Sequence, residues 1–273
     1  MRTIGGSDLL YVAIATRAFR RYSTYQAATL AGIFTNSVFG IIGSFAYLAL
    51  WRANANAGGY DSGDAVTYVW LGQALLMTVA VWGGGTTDDL AERIRTGDVA
   101  IDLYRPIGLV QWYLAGDLGR ACYHLLTRGL APTVVGAVLF DLKAPESPVA
   151  LLGFVLAVPL AVVVSFGIRF LVASSAFWLL DQSGVKVMSG AFAIFFSGLM
   201  LPLVLFPGWL GTLAQALPWA AFIQVPADIW LGKRTGGDLV MALGFQVLWA
   251  VVLLGCCRLV LGAATRKVVV QGG

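Results

Sequence analysis

Between Lys186 and Asp228 the chain carries no formal charge, and uncharged apolar stretches recur along its length. A helix needs about 20 apolar residues to cross a bilayer core of about 30 Å, so runs of that length decide what the chain can fold into. Their solvent is lipid. The composition agrees, since 59% of the 273 residues are hydrophobic and 12% are charged, against roughly 25% charged usage in soluble domains.

The runs predict an all-α integral membrane fold of six transmembrane helices, at about 27–51, 66–84, 112–140, 149–180, 187–206 and 239–260, in a single domain covering 1–273. The third is interrupted by Asp117, Arg120, His124 and Arg128, whose side must face protein, water or headgroups. Asp117 and Arg120, at i,i+3, are expected to pair with each other near the inner surface. The fourth carries Arg169 alone, placed where its long side chain can snorkel toward the interface. In the fifth region Pro202, Pro207, Pro218 and Pro226 break any single helix, which predicts one span followed by a broken hairpin.

Basic residues in short flanks set orientation. With the N-terminus inside, Arg2, Arg17, Arg20, Arg21, Arg93, Arg95, Arg105, Lys186, Arg258, Arg266 and Lys267 are cytoplasmic, and only Arg52, Lys143, Lys233 and Arg234 are external. Both termini are therefore expected in the cytoplasm. The net charge of +4 follows from this topology, and no basic cluster suggests nucleic acid. The first apolar stretch is too long for a signal h-region and lacks a cleavage site, so it is expected to stay as the first span.

Ahead of that span, residues 7–26 read as an amphipathic interfacial helix, with Tyr11, Ala15, Ala18, Phe19 and Tyr22 on one face and Arg17, Arg20, Arg21 and Thr24 on another. Membrane lipids are its expected partner through anionic headgroups, and its polar face is also open to a cytoplasmic protein. The loop 84–111 is well punctuated. Asp89 followed by Glu92 resembles a capping box, Leu90 and Ile94 form an apolar i,i+4 pair, and Gly97 is placed to end a helix at 87–96. A plain connector does not need two apolar anchors, so the loop reads as a docking element that presents Leu90 and Ile94 outward. The segment 207–226, rich in Trp, Pro and Gly, reads either as external re-entrant helices capping a pathway or as an interfacial aromatic belt.

Several chemistries are excluded. No GxxxxGK[ST] loop occurs, so any nucleotide chemistry belongs to another chain. The single histidine, His124, removes multi-histidine metal sites and makes a Ser-His-Asp triad improbable; it reads as a packed side chain. Cys122, Cys256 and Cys257 have no metal or redox spacing and read as packing residues. Asp88, Asp89 and Glu92 are accounted for by a helix start, so catalytic and metal residues are expected to be none.

The segments Ile94-Arg95-Thr96-Gly97-Asp98 and Leu103-Tyr104-Arg105-Pro106 resemble the loop of the ABC-2 type permeases, in the branch of bacterial permeases that occur as two related subunits beside one ATPase. The architecture of the whole chain is similar too. The resemblance implies an ABC-2, or type V exporter-like, fold in the bacterial inner membrane, and the permease subunit of an ATP-driven exporter. ATP and Mg are then bound by an ABC ATPase subunit, with no cofactor in this chain, and a second permease subunit, identical or related, completes the pathway. It further implies a coupling helix at 87–96, with Arg17, Arg21, Asp88, Asp89, Leu90, Glu92, Arg93, Ile94, Asp98 and Arg105 at the ATPase contact. Spans two and five would line the pathway, pointing to Gln73, Met77, Phe192, Phe195, Phe196 and Met200. The glutamate-alanine-alanine loop of importers is absent, which favours export. A gradient-driven or passive transporter is the alternative.

Overall fold

The computed structural model describes residues 4–104, 107–179 and 181–271. Among these the chain is helical without a strand. In order the helices are α1 (Ile4–Ser23), α2 (Gln26–Ala53), α3 (Ser62–Leu76), α4 (Thr86–Thr96), α5 (Val99–Leu103), α6 (Leu109–His124), α7 (Leu130–Leu139), α8 (Pro148–Ser174), α9 (Ser183–Phe196), α10 (Gly208–Ala216), α11 (Gln224–Trp230) and α12 (Gly236–Gln271). Three helical stretches are long and apolar enough to cross a membrane: Gln26–Ala53, Pro148–Phe177 and Gly236–Arg266.

α2 shows how such a helix divides its surface. Gly32, Asn36, Gly40 and Ser44 recur every four residues and are buried, as expected for one stripe of a 3.6-residue helix. Leu30, Phe34, Ile42 and Phe45 are exposed on the other side. The polar stripe is satisfied internally. Asn36 Nδ2 lies 3.4 Å from the Gln73 carbonyl and 3.5 Å from that of Arg128, and Ser44 Oγ donates to Gly40. In lipid this inversion is stable because apolar side chains meet acyl chains, whereas small residues let helices approach closely.

Two expected spans are shorter as helices than their apolar runs. α3 stops at Leu76 and not near 84, because Ala80, Gly83, Gly84 and Gly85 all have positive φ, which ends right-handed helix. Its start is an Asp61/Asp64 capping box. α9 stops at Phe196 and not at 206. At a rise of about 1.5 Å per residue it is about 21 Å long, less than a bilayer core. The expected third span is α6 and α7 joined by a π-helical turn, Leu125–Gly129.

The irregular chain after α9 is held by several side chains, with Gln224 at the centre. Its Oε1 accepts from the Leu203 N–H at 2.7 Å and from Tyr68 Oη at 2.9 Å, while its Nε2 donates to Asp228 at 2.8 Å and to Tyr60 Oη at 3.0 Å. Its own N–H donates to the Ser197 carbonyl. Gln246 of α12 adds bonds to the carbonyls of Ala157 and Ala221. Non-helical backbone at membrane depth is tolerated when protein covers and satisfies it in this way.

Past the same end, Lys143 bridges Asp61 and Asp64, and Lys233 also reaches Asp64. The Lys143 ammonium holds the Asp61 carboxyl below the usual carboxylate range. Tyr60 donates to Asp228, which also meets Arg234. Glycine is required at 198, where φ is +85° and a Cβ would fall 2.2 Å from Tyr68 Oη. We expect Gly198→Ala to lower the melting temperature of the detergent-solubilised protein clearly, whereas Gly190→Ala, in open space within α9, leaves it unchanged or raises it, since alanine is more stable than glycine in a helix by roughly 0.5–1 kcal/mol. Equal melting temperatures for the two variants would contradict this account of the turn.

Candidate functional site

α4 begins from the turn of positive-φ glycines and ends where Gly97 adopts a left-handed conformation at φ 85°. Its N-cap is Gly85 and no side chain caps it, so the expected Asp89/Glu92 capping box does not form. Asp88 and Asp89 occupy the first turn and Arg93 and Arg95 the last, each complementing the helix dipole. Thr87 Oγ1 donates to the Gly84 carbonyl, and Thr86 Oγ1 to that of Tyr113.

Leu90 does not face outward as the sequence suggests. It is fully buried with Ala91 in a cluster that includes Val99, Tyr113, Phe166 and Phe170, and Ile94 packs half-buried against the same cluster. The apolar face of α4 is thus spent on α5, α6 and α8. A hydrophobic i,i+4 pair is equally suited to an internal partner, and the aromatic pair Phe166 and Phe170 supplies one.

The outward face is polar and paired. Asp88 bonds Lys186 of α9 at 2.8 Å, Asp89 bonds Arg21 of α1 at 2.8 Å, and Glu92 bonds Arg95 at 2.7 Å. Arg93 pairs with buried Asp102 and donates to the Asp98 carbonyl at 3.2 Å. Hydrogen bonding to Asp102 raises the Arg93 pKa, and Arg95 lowers that of Glu92. Arg17, Arg21, Asp89, Arg93, Asp102 and Trp112 line a groove of about 1040 Å³ between α1 and α4. α1 is fixed there by ring contacts, Phe19 to Tyr123 at 5.4 Å and Tyr22 to His124 at 5.2 Å. Arg105 lies outside the described residues.

Behind α4 is an ionic cluster that the sequence reading found only in half. Asp117 Oδ1 accepts from Arg120 Nε at 2.8 Å, as the i,i+3 spacing suggests, but Asp117 Oδ2 also accepts from Arg169 Nη2 at 2.6 Å. Arg169 does not snorkel. Its guanidinium turns inward, with Nη1 donating to the Gly84 carbonyl at 3.1 Å and Nε to Ser165 Oγ at 3.1 Å. Arg120 donates to the carbonyls of Met77 and Thr78 at 2.7 and 2.9 Å. The turn that leaves α3 and enters α4 is therefore held by two arginines through its backbone. A lone charge in a long apolar run signals a buried partner, and Asp117 was the acid available.

The six residues suggested for a pathway are not brought into one cavity with α4. Gln73 on α3 and Met77 just past its end are half-buried, whereas Phe192, Phe195 and Met200 are exposed on α9 and just beyond it. Phe192 stacks on Phe196 and Trp219, and Phe195 packs against Phe206. None of the six borders the groove between α1 and α4. His124 is buried without a partner at Nδ1. Cys122 is exposed, unlike buried Cys257.

These contacts make α4 a fixed part of the helical body. Leu90→Ala should cost about 2–5 kcal/mol, the range for truncating a buried leucine, and Asp117→Asn about 3–5 kcal/mol, because two buried arginines lose their counter-charge. Thermal unfolding in detergent, read alongside Asp89→Asn as an exposed control, measures both; variants as stable as the control would show α4 and the cluster to be loosely held.

No curated protein matches the chain. A family model described as ABC-2 family transporter protein matches residues 38–272, a range that includes α4, the ionic cluster and every helix after α2 begins. The chain belongs to the ABC-2 family of transporter membrane proteins.

Proposed function

We propose that this chain is the permease subunit of an ATP-driven exporter, joined by a second permease subunit and by an ABC ATPase that acts on α4. The observation that carries the reading is the division of α4 into an apolar face buried on α8 and a polar face left at the surface. A lever must be fixed to what it moves and open to what moves it. Buried Leu90 provides the attachment, and Asp88, Asp89, Glu92, Arg95 and Asp98 provide the open side. The family match supports an ATPase partner.

Six spans fit this reading: α2, α3 with the chain to Gly85, α6 with α7, α8, α9 with the segment after it, and α12. The excess of basic residues in the flanks on that side supports a cytoplasmic position for α4 and both termini. The alternative of a gradient-driven transporter needs a carboxylate free to take up a coupling ion near the midplane. Asp117, near the start of the chain's charged third run, is already shared by two guanidiniums, which favours an external energy source.

The decisive experiment is co-purification with the ATPase and ATP-dependent efflux for Glu92→Arg. Glu92 is 55% exposed and among the described residues pairs only with a 68% exposed Arg95, and exposed pairs contribute about 0–1 kcal/mol, so the variant should fold and insert normally. Association is expected to fall at least about tenfold, the equivalent of about 1.4 kcal/mol. Unchanged capture and efflux, joined by the same result for Asp98→Lys, would overturn the assignment of α4. Orientation has its own measurement: in a cysteine-free background, Ser62→Cys should react with an impermeant thiol reagent in intact cells and Thr96→Cys should react only after permeabilisation, and the opposite pattern would reverse the topology.

A further inference from the structure

Two cavities away from the α1–α4 groove meet at one ion pair. The outer, about 470 Å³, opens between α4 and the start of α9, and its rim includes Glu92, Arg95 and Asp181. The inner lies deeper, between the turn before α4, α8 and α9, and reaches Arg169, Trp219 and Phe222. Asp88, Gln182 and Lys186 border both. The 2.8 Å bond from Lys186 Nζ to Asp88 Oδ2 stands at their junction.

The inner cavity has features that a packing void lacks. Voids between apolar side chains are dry and lined by apolar groups. Here the lining residues Trp219 and Gln182 each bury a polar atom, Nε1 and Oε1, with no hydrogen-bond partner. Buried donors and acceptors are costly to leave unmade, so an unpaired pair at one cavity marks a place where a ligand or water completes the bonding. The electrostatics have a sign as well. Arg169 shares Asp117 with Arg120, which leaves that cluster one positive charge in excess, and Lys186 balances Asp88. Trp219, Phe222 and Ile168 contribute aromatic and aliphatic surface to the wall.

In this state the inner space is small, about 30 Å³, enough for about two waters. α9 is the wall best able to move, because Ala193 is its one buried residue and its tie to α4 is the exposed Lys186–Asp88 pair. We infer that α9 swings from α8 to open this cavity, and that it binds an amphiphilic organic anion, its acidic head beside Lys186 and Arg169 and its apolar body against Trp219 and Phe222. This rests on the transporter reading and names the class of cargo for it. The Asp88–Lys186 pair is then a latch, broken when Lys186 turns to the ligand's anionic head.

The test uses the full chain in nanodiscs without any ATPase, so that it is independent of α4 docking. The probes are 12-bromododecanoate, its methyl ester and 12-bromododecyltrimethylammonium at pH 8, with bromine quenching of tryptophan fluorescence as the readout. The carboxylate should quench a saturable fraction of the emission, while the ester and the cation quench only in proportion to their partition into lipid. Trp219→Phe should abolish the saturable fraction. Lys186→Gln should weaken it at least about tenfold while leaving the ester's quenching unchanged. Identical, non-saturating curves for all three probes, or a saturable fraction that survives Trp219→Phe, would overturn the inference. Loss of this signal with ATPase capture intact removes the site alone, whereas loss of ATPase capture for wild-type protein removes the transporter reading beneath it.

Discussion

One carboxylate, that of Asp117, holds together the parts of this protein that are far apart in sequence. Arg120 and Arg169 come from α6 and α8, and through them the carbonyls of Met77, Thr78 and Gly84 are fixed as well. Burying such charges costs far more than burying a methyl group unless every donor is used. Here the donors find the backbone that most needs acceptor partners filled: a turn through positive φ at Ala80 and Gly83–Gly85, which cannot satisfy its own carbonyls as a helix would. The charge network and the irregular turn stabilise each other, and α4 begins where that turn ends.

A second polar hub solves the same problem at the other end of the helices, with a neutral amide at its centre. Gln224 has two acceptor sites and two donors on one amide, and it uses them on Leu203, Tyr68, Tyr60 and Asp228. A neutral amide suits this place because the chain there offers both free N–H groups and free hydroxyl or carboxylate acceptors. With its two ends clamped in this way, the α3 hairpin and the chain leading to α11 are held by specific bonds, while α9 between them has little buried surface of its own.

Hydropathy made part of this legible and backbone geometry hid the rest. Long apolar runs located α2, α8 and α12, and the prolines located the broken chain after α9, because a lipid solvent leaves a simple imprint on composition. The ends of α3 and α9 were not legible in the same way. An apolar run says that residues are buried or in lipid, and it does not say that Ala80 or Gly198 adopts positive φ. Leu90 and Ile94 announced an apolar face on α4, but periodicity identifies a face without identifying what covers it. Asp117 and Arg120 were a local pair visible from spacing; the third member, Arg169, lies 52 residues from Asp117, a separation that only the packing of α6 on α8 closes.

The position of α4 between two exposed ion pairs carries the functional argument furthest. On one side Asp89 holds Arg21 of α1, and on the other Asp88 holds Lys186 of α9. Each bond is weak because both partners face water, whereas the attachment of α4 to α8 through Leu90 and to the Asp117 cluster through Gly84 is strong. A force applied to the polar face therefore meets unequal resistance: α4 and α8 respond together, and the bonds to α1 and α9 yield first. In the proposed assembly the ATPase stroke does not need to deform a helix. It has only to move α4 with α8 by enough to exchange the Asp88–Lys186 bond for another partner of Lys186, and α9, otherwise held by ring packing of Phe192, Phe195 and Phe196, is released from α4.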